Sequence, residues 1–82
     1  MKTLLFFSAE FCHNCKILKP IVDREAPEKG YMIEYIDIET DEGAEDAEDY
    51  NIRSLPTIVV LDEQGAEIRR ASGNTAWKEV QK

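Results

Sequence analysis

Leu4-Leu5-Phe6-Phe7-Ser8-Ala9-Glu10-Phe11-Cys12-His13-Asn14-Cys15-Lys16 is the stretch on which the fold turns. Leu4 to Phe7 is a continuous apolar run of the kind carried by a strand buried on both faces. Beyond it Cys15, Leu18 and Val22 recur at spacings of three and four, with Ile17 and Ile21 widening the stripe, which is the period of an amphipathic helix. The only two cysteines of the chain therefore sit one turn apart at a strand-to-helix junction. Sulfurs so placed close a small ring with little backbone movement, which points to reversible thiol-disulfide exchange. Cys12 falls at or just before the first helical turn, where unpaired backbone amides and the positive end of the helix dipole favour a thiolate over a thiol. Cys12 is thus the candidate attacking sulfur. Cys15, one turn further in on the core-facing side, is the candidate for resolving a mixed disulfide. His13, Asn14 and Lys16 flank the pair, His13 and Lys16 adding ionisable or positive character.

These residues carry a resemblance to the thioredoxin family. Ala9-Glu10-Phe11-Cys12-His13-Asn14-Cys15-Lys16 is similar to the family's A-E-W-C-G-P-C-K block, and Pro20 falls at the family's helix-kinking proline. A distant second block, Tyr50-Asn51-Ile52-Arg53-Ser54-Leu55-Pro56-Thr57, is similar to the family's Y-G-I-R-G-I-P-T. The resemblance implies a cis peptide bond at Leu55-Pro56, since proline is the one residue for which a cis bond is cheap. It implies that Leu55, Pro56 and Thr57 bind substrate, Leu55 by pairing with an extended substrate backbone. It places Phe11 as a shield for the sulfurs, and Gly73 where a glycine leaves a substrate groove open. The activity implied is reduction of protein disulfides through Cys12 and Cys15. No cofactor or metal is expected to be bound, and the oxidised form is expected to be recycled by an external reductant, a thioredoxin reductase or glutathione.

The resemblance covers almost the whole chain, although the first strand already carries the motif and the family's leading strand and helix have no counterpart. The expected architecture is α/β, a minimal thioredoxin fold of glutaredoxin size in a single domain, 1–82. It has a central four-stranded mixed sheet flanked by about three helices. Strands are expected near 3–8, 31–38, 57–62 and 66–71, and helices near 12–26 and 42–50, with a closing helix N-capped by Asn74. Glu63-Gln64-Gly65 reads as a hairpin loop with glycine at the positive-φ position. Asp37 and Glu39 cap or solvate the end of the second strand, and Trp77 anchors the closing helix.

Departures from the family bear on behaviour. The buried aspartate that thioredoxins carry six residues before the first cysteine is Phe6 here, and the lysine that pairs with it is Tyr35. A buried-charge cost and a proton acceptor are lost together, leaving water or His13 to serve Cys15. The family's glycine-proline dipeptide is His13-Asn14. A histidine beside the attacking sulfur stabilises its thiolate and hence the reduced form, so the potential is expected tens of millivolts above the roughly -270 mV of thioredoxin.

Bulk properties bound the remainder. A chain of 82 residues, 43% of them apolar, has one modest core. Its net charge of -7 argues against nucleic acid and anionic membranes as partners; the resemblance implies protein disulfides as substrates, and a monomer is the expected state. Between Glu34 and Asp49 stand nine carboxylates and no basic residue. A solvated helix face is the ordinary reading, and a docking surface for a basic partner the other; the spacing does not fit a calcium-binding EF-hand. Met1 to Ala9 imitates a secretion signal, but its apolar stretch is far shorter than the roughly 7 to 15 residues a signal needs. The protein is therefore expected in the cytoplasm, where a lone close cysteine pair is catalytic or metal-binding rather than a structural staple. Zinc held by Cys12, His13 and Cys15 is disfavoured by crowding and the lack of a fourth ligand. Two alternatives remain. One is a glutaredoxin-like, glutathione-linked oxidoreductase, against which Ser72-Gly73-Asn74-Thr75 lacks a Gly-Gly-x-Asp site. The other is a non-catalytic interaction module.

Overall fold

A computed structural model describes residues 1–82. The apolar run forms β1 (Lys2–Ser8), followed by α1 (His13–Glu25), a 3-10 turn at Pro27–Lys29 and β2 (Tyr31–Asp37). Then come α2 (Asp41–Asp49), β3 (Thr57–Leu61), β4 (Glu67–Ser72) and α3 (Ala76–Val80). The sheet order is β2-β1-β3-β4, with β1 parallel to β2 and antiparallel to β3, and β3 antiparallel to β4. This is the four-stranded mixed sheet with three helices that the resemblance implies.

The two interior strands are the two with continuous apolar runs, because both of their faces are covered. On one face Leu4, Phe6, Ile58 and Val60 pack with Leu18 and Val22 of α1 and with Trp77 and Val80 of α3. On the other, Leu5, Phe7, Val59 and Ile36 pack with Ala47 of α2 and with Tyr50. Each large side chain so buried contributes about 1.5–3 kcal/mol. Cys15, Leu18 and Val22 are the buried stripe of α1, as their spacing requires. Ile21 joins its flank half-buried, but Ile17 is 51% exposed. Ile17 lies about 100° round the helix from Leu18, beyond the arc the sheet covers. Pro20 sits inside α1 and withholds an N–H from the Lys16 carbonyl.

Two turns join the elements around this sheet, one at each end of β1. Between β3 and β4, Asp62 Oδ1 accepts from the Gln64 and Ala66 N–H groups, and Gly65 takes the expected positive φ. Beyond it on β4, Arg70 makes two hydrogen bonds to Glu67, which hold the Glu67 carboxyl below its ordinary value. The closing helix starts later than expected. Thr75, not Asn74, occupies the N-cap position, and no side chain caps it, so α3 rests on its packing rather than on its end.

At the second turn Thr40 Oγ1 caps α2 by accepting the Gly43 N–H at 2.9 Å, and its hydroxyl reaches the Asp37 carbonyl. Gly43 is buried against that same turn, and a Cβ there would overlap the Asp37 carbonyl oxygen. The obstacle is backbone, which cannot swing aside. Gly43→Ala is expected to destabilise the protein by at least about 2 kcal/mol, although alanine is the better helix former. Denaturant unfolding checks this, and an unchanged or raised midpoint would show that the turn yields.

Candidate active site

The site is built where β1 ends and α1 begins. Cys12 and Cys15 are joined as a disulfide, their Cα atoms 5.3 Å apart, and no other cysteine exists. Cys12 is the N-cap of α1 in an extended conformation, and its Sγ accepts the Cys15 N–H at 3.1 Å. An amide aimed at this sulfur from the first turn stabilises negative charge on it. That turn holds no carboxylate to oppose the effect. His13 and Asn14 are exposed beside the pair, and Lys16 is exposed and paired with Glu10 at 3.6 Å.

The two sulfur-bearing residues border different spaces. Cys12 lines a groove of about 430 Å3 together with Phe11, Ile38, Ala47, Ile52 and Leu55. Arg53 is the only charged residue in its wall. Phe11 is 74% exposed, so it stands at the rim of this groove rather than covering the sulfurs as the resemblance suggested; helix and sheet already bury the cysteines. Cys15, 3% exposed, borders a cleft of about 280 Å3 walled by Lys16, Lys19, Tyr35, Asp37, Glu10 and the end of β1. Phe6 is fully buried and meets Tyr35 edge-on, 5.8 Å between ring centres, while Lys19 Nζ lies 4.4 Å from the Tyr35 ring centre. An aromatic contact and a cation-π contact thus occupy the place of the family's buried charged pair.

The distant second block comes to the same place. The Leu55-Pro56 bond is cis, and Leu55 faces the groove. Neither the N–H nor the C=O of Leu55 makes a hydrogen bond within the protein, while the neighbouring carbonyls are taken. The Ser54 carbonyl accepts from Thr57 Oγ1 at 2.6 Å, and the Pro56 carbonyl from the Gly73 N–H at 2.9 Å. Thr57 is 2% exposed and its hydroxyl also bonds Ser72 Oγ at 2.8 Å, so its side chain holds the loop from beneath. Pro56 is likewise buried. Gly73 has open space where a Cβ would be, its φ of +90° calls for glycine, and its N–H tethers the Pro56 carbonyl.

Sequence reasoning missed the wall that Ile38 of the β2–α2 turn and Ala47 of α2 supply, and the reach of the Glu39 carboxylate to the cysteine loop. Glu39 Oε1 accepts the backbone N–H of Glu10 at 2.8 Å, a contact across 29 residues that no local spacing announces. No group of three or more His, Cys, Asp or Glu side chains converges as metal ligands do.

The family model described as Thioredoxin matches residues 1–82. Among curated proteins, the chain is 40% identical over 58 residues to "Thioredoxin M-type, chloroplastic" of Chlamydomonas reinhardtii, covering 71% of this chain and 41% of that protein. It is 35% identical over 61 residues to a thioredoxin of Pyropia yezoensis, covering 74% and 57%. The chain therefore spans about half the length of the curated relatives it matches. Among solved structures, the thioredoxin of Fasciola hepatica superposes with a TM-score of 0.83 at 27% identity, over 98% of this chain and 75% of that one. The reduced Schistosoma mansoni thioredoxin superposes with a TM-score of 0.85 at 22% identity, over 98% and 73%, a likeness of fold.

Proposed function

The chain belongs to the thioredoxin family, and from that premise we propose that it is a thiol-disulfide oxidoreductase reducing protein disulfides through Cys12 and Cys15. One observation carries the reading: the unpaired Leu55 peptide group and the capped Cys12 sulfur border a single apolar groove. A substrate strand pairs its backbone with Leu55, which brings its disulfide to Cys12. The Cys12 thiolate, stabilised by the Cys15 N–H and the helix end, attacks one substrate sulfur and the other leaves as a thiolate. Cys15 then loses its proton and attacks Cys12. The second substrate sulfur departs, and the protein keeps the Cys12-Cys15 disulfide while the substrate is reduced by two electrons. The sulfurs themselves carry the electrons, so no resident cofactor is needed, and an external reductant, a thioredoxin reductase or two molecules of glutathione that leave as their disulfide, restores the thiols. Residues 1–82 act as a single monomeric domain in this reading.

The cytoplasm is the proposed compartment, supported by a lone, closely spaced cysteine pair of the kind reducing environments keep for catalysis. No helix is long and apolar enough to cross a membrane. Recovery of the protein from an oxidising compartment on cell fractionation would count against this placement.

The test of function is reduction of insulin disulfides driven by dithiothreitol, with turnover expected well above the background of the reductant alone. Turnover confined to glutathione and a small mixed disulfide would instead mark a glutaredoxin-type enzyme. Binding of partners without any turnover would mark an interaction module. The same preparation yields the potential. His13 at the first position of α1 and a first turn free of carboxylates both favour the thiolate, so the expected value lies tens of millivolts above about -270 mV. Since ~30 mV corresponds to about 1.4 kcal/mol, equilibration against a thioredoxin or glutathione buffer resolves the difference, and a lower value would refute the role given to His13.

A further inference from the structure

Besides the exposed ion pair between the Lys16 and Glu10 side chains, the loop carrying Phe11 has one strut, a side-chain hydrogen bond to its backbone. Glu10 lies just beyond β1, where no sheet partner takes its N–H, and Glu39 Oε1 accepts that N–H at 2.8 Å. Glu39 is itself well anchored. Its own N–H donates to Asp37 Oδ1 at 2.9 Å, and the Ile38 N–H before it donates to the Ser8 carbonyl at 3.0 Å. The Thr40 hydroxyl after it donates to the Asp37 carbonyl at 2.9 Å. A firmly held turn therefore reaches across to the short loop between β1 and Cys12. The same turn and the same loop each contribute a wall of the groove beside Cys12, Ile38 from the one and Phe11 from the other.

We propose that Glu39 is a positioning residue that sets the spacing of Phe11 and Ile38, and so determines how tightly the groove receives an apolar side chain flanking a substrate's disulfide. The inference rests on the oxidoreductase reading above and adds its substrate class: protein disulfides with an apolar residue close to the reacting cysteine. Phe11 is mostly exposed, so little packing would hold it if the strut were cut. A disulfide too small to reach the groove has no use for the strut. Chemistry at the sulfurs does not pass through Glu39, so its loss acts on substrate binding rather than on turnover at saturation.

Glu39→Gln and Glu39→Ala separate the acceptor from the charge, since both remove the charge and only glutamine keeps a side-chain oxygen. With insulin as substrate and saturating dithiothreitol, Glu39→Ala is expected to raise KM about tenfold with kcat within about twofold. Glu39→Gln is expected to stay within about threefold of the parent in KM. With hydroxyethyl disulfide all three proteins are expected to react at the same rate. Hydrogen exchange of the Glu10 amide, expected about tenfold faster in the alanine variant alone, reads the strut without relying on activity. Equal KM in all three proteins, equal losses on both substrates, or a glutamine variant as impaired as the alanine one would each overturn the proposal while leaving the function standing. A parent protein that reduces neither disulfide would remove the oxidoreductase reading, and the proposal with it.

Discussion

Cys12→Ser is expected to reduce insulin turnover to the dithiothreitol background, a loss of about three orders of magnitude or more, as when a nucleophile acting in concert with a partner is removed. A serine hydroxyl at the N-cap of α1 would still accept the Cys15 N–H, so the helix start survives while the nucleophile does not. Cys15→Ser should behave differently. Its Cys12 sulfur can still attack, but nothing within the protein can displace the substrate, so a covalent mixed disulfide accumulates. Mass spectrometry of the two variants after exposure to a protein disulfide distinguishes them: an adduct on Cys15→Ser and none on Cys12→Ser. The opposite distribution would make Cys15 the attacking sulfur, in spite of its being 3% exposed. Adducts on neither variant would indicate that the groove does not present a disulfide to this helix end.

Trp77→Ala is expected to destabilise the protein by about 3–5 kcal/mol. An 82-residue domain has a total stability of roughly 4–12 kcal/mol, so the variant should be close to unfolding. The reason lies in α3, which has five residues and no side-chain cap. So short a helix has almost no stability of its own and borrows it from packing. Trp77 is 4% exposed and meets Tyr31 edge-on at 5.9 Å between ring centres. Its Nε1–H donates to Glu25 Oε1 at 2.8 Å, which ties α3 to the last turn of α1. It also belongs to the same buried cluster as Cys12 and Cys15, so its removal should loosen the site as well as the chain end. Thermal unfolding followed by circular dichroism should show a midpoint lower by roughly 15 °C or more. A drop under about 4 °C would mean that α3 is an appendage and not part of the core. Trp77→Phe keeps most of the apolar contact and loses the Glu25 hydrogen bond, and should cost about 1–2 kcal/mol.

How much could be read in advance depended on the range of the interaction. Leu4 to Phe7 and Thr57 to Val60 are unbroken buried runs, and a strand with both faces covered leaves that mark in the chain itself. The three-and-four spacing of Cys15, Leu18 and Val22 decided the inward face of α1, and the place of Cys12 ahead of it decided which sulfur the helix end serves. The cis bond at Leu55-Pro56 was legible through the resemblance of its surrounding block. These features are written in periodicity and in residue chemistry, which act over a few neighbours along the chain.

What lies across space was not so written. Whether Ile17 is covered depends on how far the sheet extends around α1, and that is a property of the sheet. Thr57 matches a substrate-binding block, and the Ser54 carbonyl and Ser72 hydroxyl make its side chain a support beneath the loop. Gly73 serves its own backbone angle and the Pro56 carbonyl. The groove takes Ile38 and Ala47 from the far side of the sheet, and Glu39 reaches the cysteine loop only because parallel pairing sets Ser8 beside Asp37. Local chemistry in the chain determined the fold's elements and the reacting sulfurs; the pairing of β1 with β2 decided what surrounds them, because a contact between residues far apart in sequence exists only once the strands between have found their register.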